Sequence, residues 1–451
     1  MCRFSESLIA LRHLLLLWTV AGLCAQAAET AAPKVEACLD IAPVWSGHPV
    51  GFCLMTRDKH QFAAFYDAQR RMTVAARTLD SDTWQLTHLP QHLVWDSHNY
   101  ITMAIDDDGF IHVSGNMHCV PLVYFRSAKP LDAASLQPAT PMVGEKENRC
   151  TYPQFLRGPK NELLFTYRDG RSGSGDQIYN VYDLKTQTWK RLLDKPLTDG
   201  KGKMNAYFHG PVRGDDGYFH LCWVWRNSGD CASNHDLSYA RSKDMVRWER
   251  SDGKPLELPI TLETGESVDP VPVKGGIING NNKIGFDTKG RLVITYHKYD
   301  AKGFTQVYSA RLEDGRWKTY QTSDWDYRWD FSGGGSIKFE IGVGAVAREK
   351  DGGLSLSYSH SKYGGNTWRL DEQTLKPIGT ITRPPSRPAE TGKVESSFTG
   401  MAVKWAADMG ASGEEGVTYV LRWETLGPNR DQPRQPPLPD PSMLRLYKLR
   451  R

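Results

Sequence analysis

The sequence lacks the features of a membrane protein and of a nucleic-acid-binding protein. Its one long apolar run covers residues 14–23, which is too short and too close to the N-terminus to span a bilayer. The 451 residues include 56 Lys and Arg against 52 Asp and Glu, so the net charge of +4 provides no concentrated basic surplus. With 39% hydrophobic and 24% charged residues, the composition is that of a globular protein. We therefore predict no nucleic acid or membrane partner.

The N-terminus has the pattern of a signal peptide. Arg3 and Arg12 precede the apolar run, and residues 25–27 (Ala-Gln-Ala) place small residues at the two positions that a signal peptidase reads. We predict that residues 1–27 are removed and that residues 28–451 form one mature catalytic domain that is secreted or periplasmic. A buried N-terminal helix is the alternative.

A strand–turn–strand pattern recurs seven times along the chain. In each copy an apolar segment leads into a tight turn rich in Gly or acidic residues, and an alternating apolar strand follows. The turns lie near residues 60, 109, 161, 217, 290, 352 and 416. Repeats of this kind, in a chain with 41 Gly, 26 Pro and 11% aromatic residues, favour an all-β fold. We predict a single seven-bladed β-propeller that a strand at residues 443–449 closes after a proline-rich loop (residues 427–441). Several β-sandwich domains are the alternative.

The propeller topology predicts which polar residues share one rim. The tight turn joins the two inner strands of each blade, so the start of the first strand and the end of the second lie together at the opposite rim. In the second, third and fourth repeats the residues at this rim are His98, Asn99, Asn116, His118, Tyr152, Tyr167, Arg168, Arg171, Tyr207, His209, Arg226 and Asn227.

The chemistry of this rim favours proton transfer beside an anion. His and Tyr side chains exchange protons, and Arg binds carboxylates. Few carboxylates lie there, whereas a glycoside hydrolase needs two. The rim therefore indicates β-elimination on a uronic-acid polysaccharide: the substrate carboxylate is neutralised, a base removes the C5 proton, and an acid assists departure of the C4 oxygen.

The same residues carry a resemblance to a known group of enzymes. His98-Asn99, Asn116-Met-His118, Tyr152, Tyr167-Arg168 and Tyr207-Phe-His209 resemble the motifs of the seven-bladed propeller ulvan lyases of polysaccharide lyase families 24 and 25. Residues 219–226 and 234–244 also resemble the broader BNR-repeat group. The resemblance covers residues 45–425. It implies an exported lyase that cleaves a rhamnose–uronate linkage in a sulfated algal polysaccharide by β-elimination and leaves a 4,5-unsaturated uronate.

The resemblance also implies roles for single residues. His98 would be the proton-abstracting base, with Tyr152 as the general acid or the partner base. Arg168 would neutralise the uronate carboxylate, supported by His118 and Tyr207. The residues predicted to bind the substrate around them are Asn99, Asn116, His209 and Arg226.

A second group of side chains has the composition of a zinc site. His220 and Cys222 lie two apart on a predicted strand, so their side chains share a face, and Cys231 and His235 follow after a short loop. Two Cys and two His suit a closed, structural, tetrahedral Zn²⁺ site. The alternative is a Cys222–Cys231 disulfide. We predict no organic cofactor.

The remaining cysteines permit two further bridges. Cys38 and Cys53 flank the first predicted strand and could pair. Cys119 and Cys150 form either a bridge or two buried thiols.

Two other functions fit the same propeller. A glycoside hydrolase, rhamnosidase- or sialidase-like, would need a carboxylate pair such as Glu340 with Asp330 at the rim. A non-catalytic glycan-binding propeller would leave His98, Tyr152 and Arg168 apart. In the leading interpretation the protein is a monomer and the acidic polysaccharide is its partner.

Overall fold

Residues 32–451, the part of the chain that the computed structural model describes, form seven antiparallel β-sheets. The predicted signal peptide lies outside these residues. Within them, no helix is long and apolar enough to cross a membrane. The first strand, β1 (Lys34–Val44), belongs to the last sheet.

The first three sheets after β1 use the following strands. Blade 1 contains β2 (Cys53–Arg57), β3 (His60–Tyr66), β4 (Arg71–Thr78) and β5 (Gln85–His92). Blade 2 contains β6 (Ile101–Ile105), β7 (Ile111–Gly115), β9 (Tyr124–Ser127) and β10 (Leu136–Pro138). Blade 3 contains β8 (His118–Val120), β11 (Cys150–Arg157), β12 (Leu163–Asp169), β13 (Asp176–Asp183) and β14 (Thr188–Arg191). Of these, β8 joins blade 3 by pairing with β11.

The fourth blade is the largest. It contains β15 (Asn205–Arg213), β16 (Phe219–Arg226), β17 (Asn234–Ser242), β18 (Trp248–Glu249), β19 (Pro255–Leu256) and β20 (Glu266–Asp269). Blade 5 contains β21 (Lys283–Phe286), β22 (Leu292–Tyr299), β23 (Thr305–Glu313) and β24 (Arg316–Gln321). Blade 6 contains β25 (Ile341–Arg348), β26 (Leu354–His360), β27 (Gly364–Leu370) and β28 (Pro377–Thr380). Blade 7 contains β29 (Met401–Ala407), β30 (Val417–Leu426) and β31 (Ser442–Arg450) together with β1. Three short 3₁₀ helices cover Ala133–Ser135, Cys231–Ser233 and Ala389–Gly392.

The seven recurring tight turns join the first two strands of the seven blades. Aspartates stabilise two of these turns in the same way: the Asp106 carboxylate accepts a hydrogen bond from the Phe110 amide at 2.8 Å, and the Asp287 carboxylate accepts one from the Arg291 amide at 2.9 Å. The turn after Asp106 needs Gly109, whose φ of +87° a side chain would oppose. The predicted all-β, seven-bladed propeller is therefore confirmed, and the β-sandwich alternative is excluded.

Both ends of the described chain meet in the seventh blade. The strand predicted at residues 443–449 is β31, and it lies between β30 and β1. Leu446 faces Leu421 of β30 on one side and Leu39 of β1 on the other. The N-terminal strand thus closes the sheet that the C-terminal strands begin, and the apolar side chains of blade 7 pack onto blade 1, where Trp423 stacks on Phe52 with ring centroids 4.5 Å apart.

The six described cysteines are all free thiols: Cys38, Cys53, Cys119, Cys150, Cys222 and Cys231. None of the three bridges considered from the sequence forms. The Cys119 thiol instead donates to the Gly170 carbonyl at 3.4 Å, and the Cys222 sulfur lies 3.2 Å from the side-chain amide of Asn282.

Ring closure can be tested at Leu446, which is 1% exposed. Leu446→Ala leaves a cavity in the core that blade 7 shares with blade 1, and a buried Leu→Ala change costs about 2–5 kcal/mol. We expect a clearly lower urea midpoint. Thr418→Ala, at an exposed position of β30, is the control and should change stability by less than about 0.5 kcal/mol. Equal midpoints for the two variants would contradict closure by β31.

Candidate active site

The five residues predicted to be catalytic converge at one rim of the propeller. We call them the His–Tyr–Arg cluster: His98, His118, Tyr152, Arg168 and Tyr207. The imidazole rings of His98 and His118 stack with centroids 4.3 Å apart, and the Tyr152 ring lies 5.7 Å from His98 and 5.9 Å from Tyr207. The Arg168 guanidinium lies 5.0 Å from the Tyr152 ring.

Strand pairing explains why these residues meet. Thr151 of β11 pairs with His118 of β8 on one side and with Arg168 of β12 on the other. Tyr152 follows Thr151 at an irregularity of β11 and has a φ of +58°, a conformation that costs a residue with a side chain about 1–3 kcal/mol. Cys119 has a similar φ of +59°. These distortions turn Tyr152 out of the regular ladder toward His98.

One carboxylate orients both histidines. The Asp96 Oδ1 atom lies 2.7 Å from the His98 Nδ1 atom, and its Oδ2 atom lies 2.5 Å from the His118 Nδ1 atom. Neither Nε2 atom has a hydrogen-bond partner among residues 32–451. A carboxylate that accepts the Nδ1 proton leaves Nε2 as the atom that exchanges protons. Asp96 therefore prepares both rings for proton transfer.

A second carboxylate approaches His98 from the proline-rich loop. The Asp431 Oδ2 atom lies 3.4 Å from the His98 Nδ1 atom. Burial alone would lower the pKa of His98, but the hydrogen bonds and charges of Asp431 and Asp96 outweigh burial and raise this pKa to about 9. Burial also opposes ionisation of Asp96, yet His118 and His98 hold the pKa of that carboxyl far below its ordinary value. At neutral pH His98 is consequently an imidazolium between two carboxylates.

Arg168 is a buried cation without a carboxylate partner among residues 32–451. It is 2% exposed, and it donates to the Tyr207 hydroxyl and to the Thr151 hydroxyl, each at 3.1 Å, while its Nε atom has no partner. A desolvated charge without a counter-ion is costly. The arrangement is suited to an anionic group supplied by a ligand.

The two tyrosines beside Arg168 differ in acidity. Burial, together with the neighbouring Tyr207, raises the pKa of Tyr152 well above its ordinary value. Burial would also raise the pKa of Tyr207, but the charges of Arg168 and Arg226 outweigh burial and lower it. Tyr152 therefore keeps its proton, and the Tyr207 hydroxyl shares a 2.7 Å hydrogen bond with Ser172 while it accepts from Arg168.

Two cavities border the cluster. One of about 280 Å³ is lined by Tyr152, Arg168 and Tyr207 together with Asn279. The other, about 520 Å³ and more open, is lined by His118 with Cys119, Arg171 and the backbone of residues 227–229. A larger cavity of about 700 Å³ around Trp248 contains none of the predicted site residues. Four of the five residues of the cluster, all but His98, therefore line one of these two cavities.

The four residues predicted to bind the substrate are placed differently from one another. The Arg226 guanidinium lies 5.4 Å from the Tyr207 ring, next to the cluster. Asn99 is 3% exposed, and its side-chain oxygen has no hydrogen-bond partner. The Asn116 side chain donates to the His92 carbonyl at 3.1 Å and so stabilises the neighbouring loop. Burial, with Lys283 nearby, lowers the pKa of His209 to about 4, which leaves this half-buried ring neutral.

The structure does not bring the four predicted zinc ligands together. His220 and Cys222 do lie two apart on β16, but His235 on β17 pairs with Trp225, about 16 Å along the strand from His220. The His220 Nδ1 atom instead lies 2.7 Å from the Tyr239 hydroxyl, and His235 Nε2 lies 2.7 Å from the Asn227 side-chain oxygen. Cys231 begins a 3₁₀ helix. The antiparallel register therefore separates His220 from His235, although the two residues are close in sequence.

Among residues 32–451, Asp96, His98 and His118 are the one set of three metal-type ligands whose donor atoms lie within 4.8 Å of one another. Their Nδ1 and carboxylate atoms are already hydrogen-bonded to each other. We therefore interpret the set as a proton-transfer group.

Sequence reasoning missed two members of the site, Asp96 and Asp431. Asp96 had a signal, since it lies two residues before His98, but nothing in the sequence connects Asp431 to this rim.

The chain is thus a seven-bladed propeller with buried Arg168 and Tyr207 beside half-buried His98, His118 and Tyr152 at one rim. The family model of BNR repeat-containing proteins matches residues 60–325, more than half of the chain, and the protein belongs to this family.

Curated proteins similar to this chain include two ulvan lyases, each 24% identical to it over about half of its length. The chain is 24% identical over 228 residues to "Ulvan lyase" of Alteromonas sp. (strain LOR), which covers 44% of this chain and 45% of that protein. It is 24% identical over 229 residues to "Ulvan Lyase-PL25" of Pseudoalteromonas sp. (strain PLSV), with the same shares. The chain thus spans less than half the length of these curated relatives. The resemblance to propeller ulvan lyases seen in the motifs is confirmed.

Solved structures share the fold over almost the whole chain. The crystal structure of polysaccharide lyase Uly1 superposes with a TM-score of 0.60 at 15% identity and covers 92% of this chain and 99% of that chain. A PL25 ulvan lyase bound to -[GlcA(1-4)Rha3S]- superposes with a TM-score of 0.58 at 12% identity and covers 91% and 95%. At such identities the likeness establishes the fold.

The role of Asp96 can be tested without a substrate. Asp96→Asn removes the charge that stabilises the His98 imidazolium, so the pKa of His98 should fall below about 9. A ¹⁵N NMR titration of the histidine side chains measures it. Asp82→Asn, at an exposed position of blade 1, should leave His98 unchanged. A His98 that still titrates near 9 in Asp96→Asn would show that Asp96 does not set its charge.

Proposed function

We propose that this protein is an exported polysaccharide lyase that cleaves a rhamnose–uronate linkage of an acidic, ulvan-like polysaccharide by β-elimination. The product carries a 4,5-unsaturated uronate. The observation that carries the proposal is Arg168, a buried guanidinium with no carboxylate partner among the described residues, beside His and Tyr groups that transfer protons. The named activities of the curated relatives support it. The signal-peptide pattern of residues 1–27 supports export, and we propose residues 28–451 as the mature, monomeric enzyme.

Arg168 binds the uronate carboxylate in this mechanism. Its side chain lines the cavity of about 280 Å³ together with Tyr152 and Tyr207. Neutralising the carboxylate lowers the energy of the carbanion-like transition state formed when the C5 proton leaves. Tyr207 keeps the guanidinium in place through its hydroxyl.

His98 and Tyr152 divide the two proton transfers. Neutral His98 takes the C5 proton on Nε2, while Asp96 on Nδ1 stabilises the imidazolium that forms. The electrons of the C5–H bond form the C4–C5 double bond, and the C4–O bond breaks. Tyr152, which burial keeps protonated, donates its proton to the leaving oxygen. His118 fixes the His98 ring by stacking and by sharing Asp96.

The two competing functions fit the site less well. The carboxylate pair named for a hydrolase is engaged elsewhere: Glu340 binds the Tyr327 hydroxyl, and Asp330 pairs with Arg328 at 2.8 Å. The two carboxylates that do lie at this rim, Asp96 and Asp431, are engaged by His98 and His118. Neither lines the cavity of Arg168. A purely glycan-binding propeller predicts that His98, Tyr152 and Arg168 lie apart, which the ring distances oppose.

An ultraviolet assay tests the activity directly, because the unsaturated uronate absorbs and a hydrolysis product does not. We expect absorbance to rise with ulvan or another uronate polysaccharide. Arg168→Lys, which loses the planar fork, should lower kcat/KM by about 100-fold or more. Arg213→Lys, at the exposed turn end of β15, should not. New reducing ends without absorbance would establish a hydrolase instead, and no reaction with any uronate polymer would refute catalysis.

The pH dependence tests the identity of the base. Below its pKa of about 9 His98 carries a proton and cannot accept another, so kcat/KM should rise with pH until it levels off near pH 9. His98→Gln should remove this rise and most of the activity. If Tyr152 were the base, the rise would continue well above pH 9, because the pKa of Tyr152 lies above its ordinary value.

A further inference from the structure

The proline-rich loop (residues 427–441) is more than a connection between neighbouring strands. It links β30 to β31, which pair directly in one sheet, yet it leaves blade 7 and crosses the rim. The Arg434 guanidinium donates to the Gly47 carbonyl at 3.0 Å, before blade 1. Arg430 donates to the Ser332 carbonyl at 2.6 Å, in the loop between blades 5 and 6. The loop therefore joins distant blades at the site.

The tip of the loop, Arg430 and Asp431, packs closely against the backbone at Gly335. Arg430 and Asp431 are consecutive residues with φ values of +63° and +56°, a conformation that residues with side chains rarely adopt. A side chain at Gly335 would place its Cβ atom 2.2 Å from the Arg430 carbonyl oxygen. Close packing of two backbones at this point requires glycine, so the contact is specific.

The Asp431 carboxylate connects three segments at the tip. Its Oδ1 atom accepts from the Ser97 amide at 3.0 Å and from the Ser97 hydroxyl at 2.7 Å, and its Oδ2 atom accepts from the Ser336 amide at 2.8 Å. The same Oδ2 atom lies 3.4 Å from His98 Nδ1. The side chain is only 10% exposed. Asp431 thus fixes the backbone before His98 and places a second carboxylate beside the imidazole.

We propose that Asp431 is a positioning residue that the proline-rich loop delivers to the active site, where it holds His98 in register for proton abstraction. This inference rests on the proposed lyase function. The groups that face His98 are Asp96 on its own loop, Asp431, the stacked His118 ring and the Tyr152 ring. With Asp96 shared between two histidines, Asp431 supplies the second negative charge when His98 becomes an imidazolium. Its contribution falls on the chemical step and not on substrate binding.

Asp431→Asn in the full chain is the decisive variant, with Asp440→Asn, an exposed Asp of the same loop, as its control. Asp431→Asn should lower kcat by at least about 10-fold, as loss of an orienting partner does, and leave KM nearly unchanged. The rise of kcat/KM with pH should move to lower pH, because His98 has lost one of two carboxylates. Wild-type kcat and pH profile in a folded Asp431→Asn protein would overturn the proposal.

A second pair of variants tests the position of the proline-rich loop separately from the charge of Asp431. Gly335→Ala introduces the Cβ clash with Arg430 and should lower kcat in the same way. Gly427→Ala, where a Cβ atom meets nothing within 4 Å, should retain activity. An unchanged kcat in Gly335→Ala would overturn delivery by the loop.

An NMR titration of His98 separates this inference from the proposed function. If wild-type protein degrades no polysaccharide, the lyase proposal fails, but the pKa of His98 should still fall in Asp431→Asn and not in Asp440→Asn. Equal values in the two variants would refute the contact itself, whatever the enzyme assay shows.

Discussion

Two imidazole rings share one carboxylate, and the geometry of the site depends on that sharing. The two oxygens of Asp96 each take one Nδ1 atom, which aligns the rings of His98 and His118 and leaves them stacked at 4.3 Å. One side chain therefore sets the spacing of the two rings and which nitrogen of each ring faces the carboxylate.

The propeller provides the rigidity that this arrangement needs. Tyr152, Cys119 and Asp431 all have left-handed backbone conformations, and each is fixed by neighbouring strands or loops from other blades. Strained residues persist where the surrounding structure determines their position. Arg168, buried with no carboxylate partner among residues 32–451, is a further energetic cost. The energy for both comes from the packed sheets, whose cores lie away from the rim.

The sequence predicts the part of this structure that follows from local rules. Repeated turn signals and strand alternation identify the blades, and hairpin topology then places His98, Tyr152 and Arg168 at one rim. Contacts between distant segments are not encoded in that way: Ser97 and Asp431 are 334 positions apart, and no spacing rule joins them. The predicted zinc ligands lie apart for a related reason, since His220 and His235 are near in sequence but lie at opposite ends of an antiparallel pair. The role of Asp96 could have been predicted from the sequence, because a carboxylate two residues before a His can accept a hydrogen bond from its Nδ1 atom.

The position of the proline-rich loop has a consequence for biosynthesis. The loop lies between the last two strands, and β31 is held in place by β1 from the other end of the described chain. Ring closure and delivery of Asp431 are therefore coupled events that require the final strand. A nascent chain in which β31 has not yet been synthesised can form the earlier blades but has no closed seventh blade to hold the loop. The Asp431 carboxylate should therefore reach His98 only after the ring has closed.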